Sequence, residues 1–397
     1  MIARFFIVFA FLLNVANLGS VLRIERFSIV ERLAFLVAAI VFVISRRKDF
    51  PAIFLFLFVL IYTAAAGFFT IFPGFSWAIY VLSINQFSII YLFLAAYPTS
   101  QDRRTYFLLV ATLPLISVAL GYAYELLQLK PLFAVEFATN NRRLAGSLIP
   151  AFLSAYAMCG MFASTRMAVA ERKPLYMALF AANFLVILLA GGRAPMAVGL
   201  AMCAMILLAD RDLRSDYKLV SVVVGMLALS ATLLTIGQTV LSRFSDSGLN
   251  GRDVIWKYTL ELADRYPWTG IGFGHQYWFM PRIVKITTGT NAAHNDFIRL
   301  SAEIGYLGMV IFYLCLFFVV LRCWWRDEGN LLPWIGFVGF MAMSLSDNVL
   351  SSPSQYILLV LGSFANSRDW GNQSALDARN AGWRMTQFDG KVNAATS

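Results

Sequence analysis

The fold is decided by an apolar run at residues 51–72, PAIFLFLFVLIYTAAAGFFTIF, which contains no charged side chain. A helix needs about 20 mostly apolar residues to cross the hydrocarbon core of a bilayer, so this run is long enough to span a membrane. The whole chain has the same character, with 59% hydrophobic and 14% charged residues. Soluble domains are about 45–50% apolar and about 25% charged. The composition therefore excludes a soluble enzyme and predicts an integral membrane protein.

Similar runs recur along the chain and predict an all-α protein with about twelve transmembrane helices in one membrane domain, residues 1–366. The first run lacks a clear cleavage site, so we predict a retained signal anchor. The polar tail at 367–397 is predicted to be cytoplasmic. The predicted spans lie near residues 4–21, 28–45, 51–72, 77–97, 105–124, 147–165, 175–190, 195–210, 219–241, 303–321, 331–349 and 352–366.

The positions of Lys and Arg predict the orientation, because cytoplasmic loops carry an excess of these residues. With the N-terminus in the cytoplasm, the inner segments hold more than half of the 32 Lys and Arg residues. The longest polar interval, residues 242–302, is then a periplasmic loop. Its many basic side chains are an exception to the charge rule, which indicates a functional reason for them.

This loop contains an apolar pattern with helical periodicity at Asp253–Leu262, which Pro267 ends. We predict an amphipathic helix at the membrane surface. The glycines at 270–274 are spaced G-x-G-x-G, whereas the dinucleotide-binding fingerprint is G-x-G-x-x-G between a strand and a helix, so nucleotide binding is not expected. Trp256 belongs to an aromatic group in this loop that is typical of a membrane-interface belt, and a platform for sugar rings is the alternative.

Both histidines of the chain, His275 and His294, lie in this loop. An imidazole has an ordinary pKa near 6.5, which suits a general base at neutral pH. His294 directly precedes Asn295, Arg299 and Glu303, which are spaced four apart and share one helical face. We therefore predict that His294 is catalytic. The aromatic neighbours of His275 are more typical of a packing residue, with substrate binding as the alternative.

Arg193 interrupts two apolar runs in Gly191-Gly192-Arg193-Ala194-Pro195. A charge between membrane helices is unfavourable unless it is paired or faces a polar cavity, so a functional role is the primary hypothesis and a snorkelling side chain the alternative. The start of the following helix favours anions. Asp347, at the outer end of the eleventh predicted span, is expected either to pair with an arginine or to cap a helix.

We predict no metal and no cofactor, because Asp, Glu and His do not cluster with ligand spacing. The four cysteines show no CxxC spacing and are predicted to be packing residues. A nucleic-acid partner is not expected. Several short motifs nevertheless occur in order over roughly residues 140–325. They are Arg142-Arg143-x-x-Gly146, Gly192-Arg193-Ala194, Gly251-Arg252-x-x-x-Trp256 with Pro267-x-x-Gly270-x-Gly272-x-Gly274, Ala293-His294-Asn295-Asp296-Phe297, and Glu303-x-Gly305-x-x-Gly308.

With these motifs the chain resembles the O-antigen ligase and polymerase family of bacterial inner-membrane glycan transferases. The resemblance implies a fold of the GT-C type, a polyprenyl-diphosphate-linked glycan as donor and no metal. It also implies that Arg193 and Arg252 bind the diphosphate and that His294 is essential. Ligases of the family often have a second histidine just before the position of His294, where this chain has Ala292-Ala293, and this difference favours a polymerase.

The residues support compatible chemistry, because two arginines can stabilise a departing diphosphate without a divalent ion while His294 accepts a proton from the acceptor hydroxyl. We predict a polymerase of lipid-linked repeat units, facing the periplasm, that works beside a flippase and a chain-length regulator. The alternatives are a ligase that uses lipid A core as acceptor, a flippase or transporter, and a scaffold. The predicted substrate-binding residues are Arg143, Trp256, His275, Asn295, Arg299, Glu303 and Asp347.

Overall fold

The computed structural model describes residues 1–24, 27–135, 142–210, 252–326 and 330–364. These residues form helices and one antiparallel hairpin of two short strands, β1 (Phe133–Val135) and β2 (Arg142–Leu144). The predicted span at 219–241, Gly251 and the tail at 367–397 lie outside the described residues. The helices are α1 (Ile2–Ala16), α2 (Leu18–Val21), α3 (Phe27–Ser45), α4 (Phe50–Phe69), α5 (Trp77–Leu94), α6 (Ser100–Leu126), α7 (Pro150–Glu171), α8 (Pro174–Ala190), α9 (Arg193–Ala209), α10 (Arg252–Arg265), α11 (Arg282–Thr288), α12 (Asp296–Arg326), α13 (Leu332–Ser344) and α14 (Pro353–Phe364), with a 3₁₀ turn at Val349–Ser351.

Six helical segments of the described chain are long and apolar enough to cross a membrane: residues 2–21, α3, α4, α5, α6 and α12. They confirm six of the predicted spans. Helices α8, α9, α13 and α14 are apolar but shorter, so the predicted count of twelve is not confirmed. Helix α7 packs against α6, α8, α9 and α14, and every residue from 153 to 167 is buried. It is the central helix of the bundle, and the largest hydrophobic core surrounds it.

The two ends of the bundle carry different polar networks. At the end where α6 begins, Arg46 binds the buried Asp102 through two hydrogen bonds of 2.5 and 2.8 Å. Arg322, in the last turns of α12, donates to Asp49 at 2.8 Å at the same end. The opposite end, where α3, α5, α7, α9 and α12 begin, is called the site end below, because the predicted site residues lie there.

A break in α12 fixes the preceding loop to this helix. At Gly305 the backbone leaves the helical conformation, with φ 74° and ψ 166°, so the N–H of Tyr306 donates to the carbonyl of Pro267 at 2.9 Å. The carbonyl of Ala302 then accepts from Ile271 at 2.8 Å instead of from its own helix. A Cβ on Gly305 would lie 2.5 Å from the carbonyl oxygen of Pro267. The glycines of this region therefore serve close backbone packing.

Helices α13 and α14 have only 13 and 12 residues. At 1.5 Å per residue they are about 20 and 18 Å long, shorter than the roughly 30 Å hydrocarbon core. The segment that joins them, residues 345–352, is therefore recessed into the bundle, and we call it the recessed link. The thiol of Cys159, in the third turn of α7, lies 3.5 Å from the carbonyl of Ser354 just after it. Non-helical backbone at such depth is tolerated where protein surrounds it or a polar cavity adjoins it.

Candidate active site

The candidate site lies at the site end, where α10, the start of α12 and the recessed link meet. His294 directly precedes Asn295, the residue before α12, and has a positive φ of 50°, which is uncommon for a residue other than glycine. Its Nδ1 lies 3.0 Å from Oδ1 of Asp347. The His294 side chain keeps 29% of its surface exposed, so a substrate can reach the ring.

Asp347 is fixed by donors from the chain that follows it. The amide of Gln355 and, at 2.8 Å, the N–H of Asn348 donate to its carboxylate. Burial alone would raise the pKa of Asp347, but the hydrogen bond and charge of His294, with these donors, hold the pKa below its ordinary value. An ionised carboxylate only accepts, so Nδ1 of His294 carries a proton, and in the neutral imidazole Nε2 presents its lone pair. Asp347 thus pairs with His294. The sequence predicted an arginine partner or a helix cap for Asp347, and this contact is neither of them.

Helix α10 contacts the chain next to both members of the His294–Asp347 pair. The predicted helix at Asp253–Leu262 is confirmed and extends over Arg252–Arg265. Arg252 and Trp256 are one turn apart on the same face. Trp256 donates from Nε1 to the carbonyl of Ala293 at 2.6 Å, and Arg252 donates from Nη1 to the carbonyl of Ser346 at 3.2 Å. The structure therefore brings Trp256 to the residue directly before His294, and Arg252 to the residue directly before Asp347.

The predicted polar stripe is confirmed as one face at the start of α12. Asn295 caps the helix, since its Oδ1 accepts from the N–H groups of Phe297 and Ile298 at 3.0 and 3.1 Å. Arg299 is buried and lies 3.1 Å from the carboxylate of Asp296 and 3.8 Å from that of Glu303. A buried arginine with two carboxylates is a stable arrangement only when all three stay paired, so this cluster fixes the helix start.

Arg299 also connects the stripe to the recessed link, because it donates to the hydroxyl of Ser351. The buried Asp296 accepts from the N–H of Leu350 at 2.9 Å. Glu303 accepts from the N–H of Gln276 at 3.2 Å and so ties the glycine-rich loop to the same cluster. These contacts join the start of α12 to the recessed link through Arg299 and Asp296, and to the glycine-rich loop through Glu303.

His275 is fully buried and connects the loop to the start of α5. Its Nε2 accepts from the N–H of Ser76 at 2.8 Å, its Nδ1 lies 3.2 Å from the carbonyl of Phe273, and its ring stacks on Phe75 at 5.1 Å. Burial lowers the pKa of His275, so the ring is neutral. Both nitrogens have backbone partners in this conformation, which suits a residue that supports the site.

Arg143 and Arg193 form a second basic group at the site end. Arg143, on β2, donates from Nε to the carbonyl of Ala190 at 2.7 Å, at the last residue of α8. Gly191 ends that helix with φ 68°, and Arg193 begins α9 with an exposed side chain. A Cβ on Gly192 would lie 2.5 Å from the side chain of Ser154 in α7, so this turn packs tightly on the central helix.

Gln355 and Ser346 contact the site but are absent from the predicted set of residues. The run from Ser344 to Tyr356 contains five serines with Asp, Asn and Gln between two apolar segments, and this polarity is the signal that indicates a recessed polar segment. Among the described residues, no group of three or more His, Cys, Asp or Glu side chains has metal-ligand geometry. The site instead offers one oriented imidazole with arginines on the same side of the bundle.

The fold and site define a multi-pass α-helical membrane protein whose polar site combines a His–Asp pair with basic side chains. Residues 177–313, about a third of the chain, match the family model described as O-antigen ligase. The match runs from α8 into α12 and contains Arg193, Arg252 and His294. It confirms the resemblance to the O-antigen ligase and polymerase family and supports a glycan-transfer function of that type. No curated protein matched the chain.

Asp347→Asn is expected to lower the rate of glycan transfer at least tenfold, since a carboxylate that orients a catalytic imidazole contributes up to about 10⁴-fold in serine proteases.

The folded-state pKa of Asp347 is below its ordinary value of 3.8, so the ionised group stabilises the fold above about pH 4. This contribution is lost as the pH falls through the lower, folded-state pKa. Transfer rates, and unfolding free energies against pH, measure both effects. Asp264→Asn is the matched control, because Asp264 pairs with Tyr306 outside the site.

Proposed function

We propose that the protein is a polymerase that joins polyprenyl-diphosphate-linked oligosaccharide repeat units in the synthesis of O-antigen, capsule or exopolysaccharide. The observation that carries this proposal is the 3.0 Å contact between Nδ1 of His294 and the ionised Asp347, with Arg252 bound to the adjacent Ser346. This arrangement leaves Nε2 of a half-exposed imidazole as a general base. The match to the O-antigen ligase family model supplies the class of substrate.

In the proposed reaction, Nε2 of His294 accepts the proton of an acceptor hydroxyl as its oxygen attacks the anomeric carbon of the donor glycan. The bond between that carbon and the diphosphate oxygen breaks, and the polyprenyl diphosphate leaves with the electron pair. Asp347 stabilises the imidazolium that forms, and the proton then passes to water or to the diphosphate. No nucleotide, metal or cofactor takes part.

Arg193 and Arg252 bind the diphosphate in this proposal. Arg193 is the first residue of α9, so its guanidinium lies near a helix N-terminus, where backbone N–H groups and the helix dipole favour anions. The planar fork of arginine also matches phosphate oxygens in a way that a lysine does not. We assign Arg143 to positioning the turn before Arg193, and His275 and Trp256 to positioning the residues around His294. Asn295, Arg299 and Glu303 shape the substrate-binding surface.

We place the protein in the bacterial inner membrane with the site facing the periplasm. The support is the distribution of charge, since the opposite end of the bundle carries Arg46, Arg104, Lys173 and Arg322 around the helix ends, as expected for a cytoplasmic face. Residues 1–366 then form the membrane domain, 242–302 the periplasmic catalytic loop and 367–397 a cytoplasmic tail. A repeat-unit flippase and a chain-length regulator are the proposed partners.

A ligase is the second candidate function, because the matched family model is described as O-antigen ligase. The two activities share the donor and differ in the acceptor, which is another lipid-linked glycan for a polymerase and lipid A core for a ligase. Ala292-Ala293, in place of a second histidine before His294, favours the polymerase.

The test is transfer by the purified full-length protein from a polyprenyl-diphosphate oligosaccharide, in detergent with EDTA and without nucleotide. We expect products that grow by whole repeat units, detected by gel electrophoresis and mass spectrometry, without any lipid A core. Products that form only when lipid A core is added identify a ligase. Movement of the donor across proteoliposomes without any new glycosidic bond identifies a transporter and contradicts the transferase proposal.

A further inference from the structure

Gln355 contacts Asp347 from inside the bundle. It is the third residue of α14, which begins at Pro353, and its backbone N–H donates to the carbonyl of Ser352 at 3.1 Å. Long side chains of a helix point back towards its N-terminus, so the amide of Gln355 reaches the recessed link. Every residue of α14 is buried, and close packing of this kind keeps a side chain in one rotamer. The amide therefore has a fixed position beside Asp347.

The two oxygens of the Asp347 carboxylate have different donors. Oδ1 lies 3.0 Å from Nδ1 of His294 and accepts from the N–H of Asn348 at 2.8 Å. Oδ2 accepts from Nε2 of Gln355. The torsion that turns a carboxylate has a broad distribution, so donors on one oxygen leave its plane loosely fixed. The donor on Oδ2 therefore fixes the plane of the carboxylate and, with it, the direction of the bond to His294.

The other half of the Gln355 amide is unfavourable for stability. Asp347 is ionised and has no proton to donate, so Nε2 and not Oε1 of Gln355 faces it. Gln355 is 1% exposed, and its Oε1 has no hydrogen-bond partner in the part of the chain that the structure describes. A buried acceptor without a partner destabilises a fold, and an apolar side chain of similar size avoids this cost. The contact with Asp347 is therefore what a glutamine provides here and an apolar residue does not.

The donors that hold Asp347 in place beside His294 are uncharged. They are the backbone N–H of Asn348 and the amide of Gln355, while Arg252 donates to the neighbouring backbone carbonyl. A cation bound to the carboxylate would cancel the charge that stabilises the imidazolium of His294 during transfer. An amide fixes the carboxylate and leaves its negative charge for the imidazole.

We propose that Gln355 is a positioning residue of the transferase. It holds the carboxylate of Asp347 so that Nδ1 of His294 stays protonated and Nε2 faces the acceptor hydroxyl. A neutral ring that carries its proton on Nε2 has no lone pair there and cannot act as the base. This inference rests on the proposed function, because the position of the ring proton affects the rate only if the reaction takes place at Nε2.

The kinetic test uses the purified full-length chain with a polyprenyl-diphosphate oligosaccharide as donor. Gln355→Met keeps the length of the side chain and removes the amide. We expect kcat to fall about fivefold, the effect of one hydrogen bond, with KM unchanged. The unfolding temperature is expected to stay the same or to rise, because the unpartnered Oε1 is lost as well. Gln86→Met makes the same change at a buried glutamine of α5 and is expected to alter neither constant.

The background of Asp347→Asn separates positioning from packing. A residue that acts through the carboxylate of Asp347 has no effect once that carboxylate is gone, so adding Gln355→Met to Asp347→Asn is expected to cause no further loss. An equal loss in both backgrounds assigns Gln355 to packing and overturns the proposal. Wild-type kcat in Gln355→Met, or a change in KM alone, also overturns it.

A spectroscopic test needs no transfer reaction. The chain has two histidines, so nitrogen NMR of the histidine-labelled protein in liposomes observes two rings, and the spectrum of His294→Gln identifies the ring of His275. At about pH 8, where an ordinary imidazole is neutral, we expect His294 to be protonated at Nδ1 in the wild type and partly at Nε2 in Gln355→Met. The ring of His275, held by Ser76 and Phe273, is the internal reference. An unchanged His294 ring in Gln355→Met overturns the proposal.

The positioning role and the proposed function fail separately. If the wild type forms no glycosidic bond from the intact donor, the proposed function fails, and the NMR comparison still tests whether Gln355 orients His294. If the wild type is active and Gln355→Met has the wild-type kcat with an unchanged His294 ring, the positioning role alone fails.

Discussion

Replacing His294 with Ala is expected to lower the rate of glycan transfer by about 10²- to 10⁴-fold, the contribution of a positioned general base. The imidazole contacts the rest of the protein through its hydrogen bond to Asp347 and keeps 29% of its surface exposed. Its removal therefore leaves the bundle folded and inserted. The measurement is the initial rate with a polyprenyl-diphosphate oligosaccharide at equal membrane abundance of the two proteins.

Two variants separate loss of the base from loss of the fold. His294→Gln keeps a polar side chain beside Asp347 but has no basic nitrogen, so it is expected to be as inactive as His294→Ala. Lys285→Gln changes an exposed side chain of α11 in the same loop and is expected to retain full activity. Near-wild-type transfer by either His294 variant would remove His294 from the mechanism and leave only its structural contact with Asp347.

Local signals in the sequence predict much of this molecule. Long apolar runs predict six of the spans because a membrane helix satisfies its own backbone hydrogen bonds and needs only length and hydropathy. The count of twelve is not confirmed, since hydropathy does not show how far into the bundle a short apolar helix extends. Helix α14, with 12 residues, begins inside the bundle because the recessed link brings the chain there.

In the candidate site too, local motifs predict some residues, whereas the contacts between distant residues were not predicted. His294, Arg252 and Trp256 are predicted because each lies in a local motif and because polar side chains are costly near a bilayer. The pairing of His294 with Asp347 joins residues 53 positions apart, and Tyr156 contacts Asn14 across 142 positions. Such partners are set by the packing of helices, which a single sequence does not specify. The role of Gly305 likewise depends on a distant part of the chain, since the backbone of Pro267 and Trp268 packs against it where a Cβ would lie.

Arg252→Lys is expected to lower the rate of transfer by about 10²- to 10³-fold, comparable to the loss of one donor from an oxyanion site. Lysine keeps the charge, but it lacks the planar fork that can contact two phosphate oxygens while another N–H donates to the carbonyl of Ser346. Arg193→Lys is expected to have a similar effect. The matched control is Arg104→Lys at the opposite end of the bundle, where Arg104 forms an exposed ion pair with Glu171, and full activity is expected there.

The double variant tests whether the two arginines act on one diphosphate. If Arg193 and Arg252 bind the same leaving group, the loss from Arg193→Lys/Arg252→Lys is smaller than the product of the two single losses, because residues that act as a unit are non-additive. Multiplicative losses mean that the two side chains act independently, one of them away from the reacting bond. Retained activity in Arg193→Lys alone assigns that residue to a snorkelling role at the start of α9 and leaves Arg252 as the residue that stabilises the departing charge.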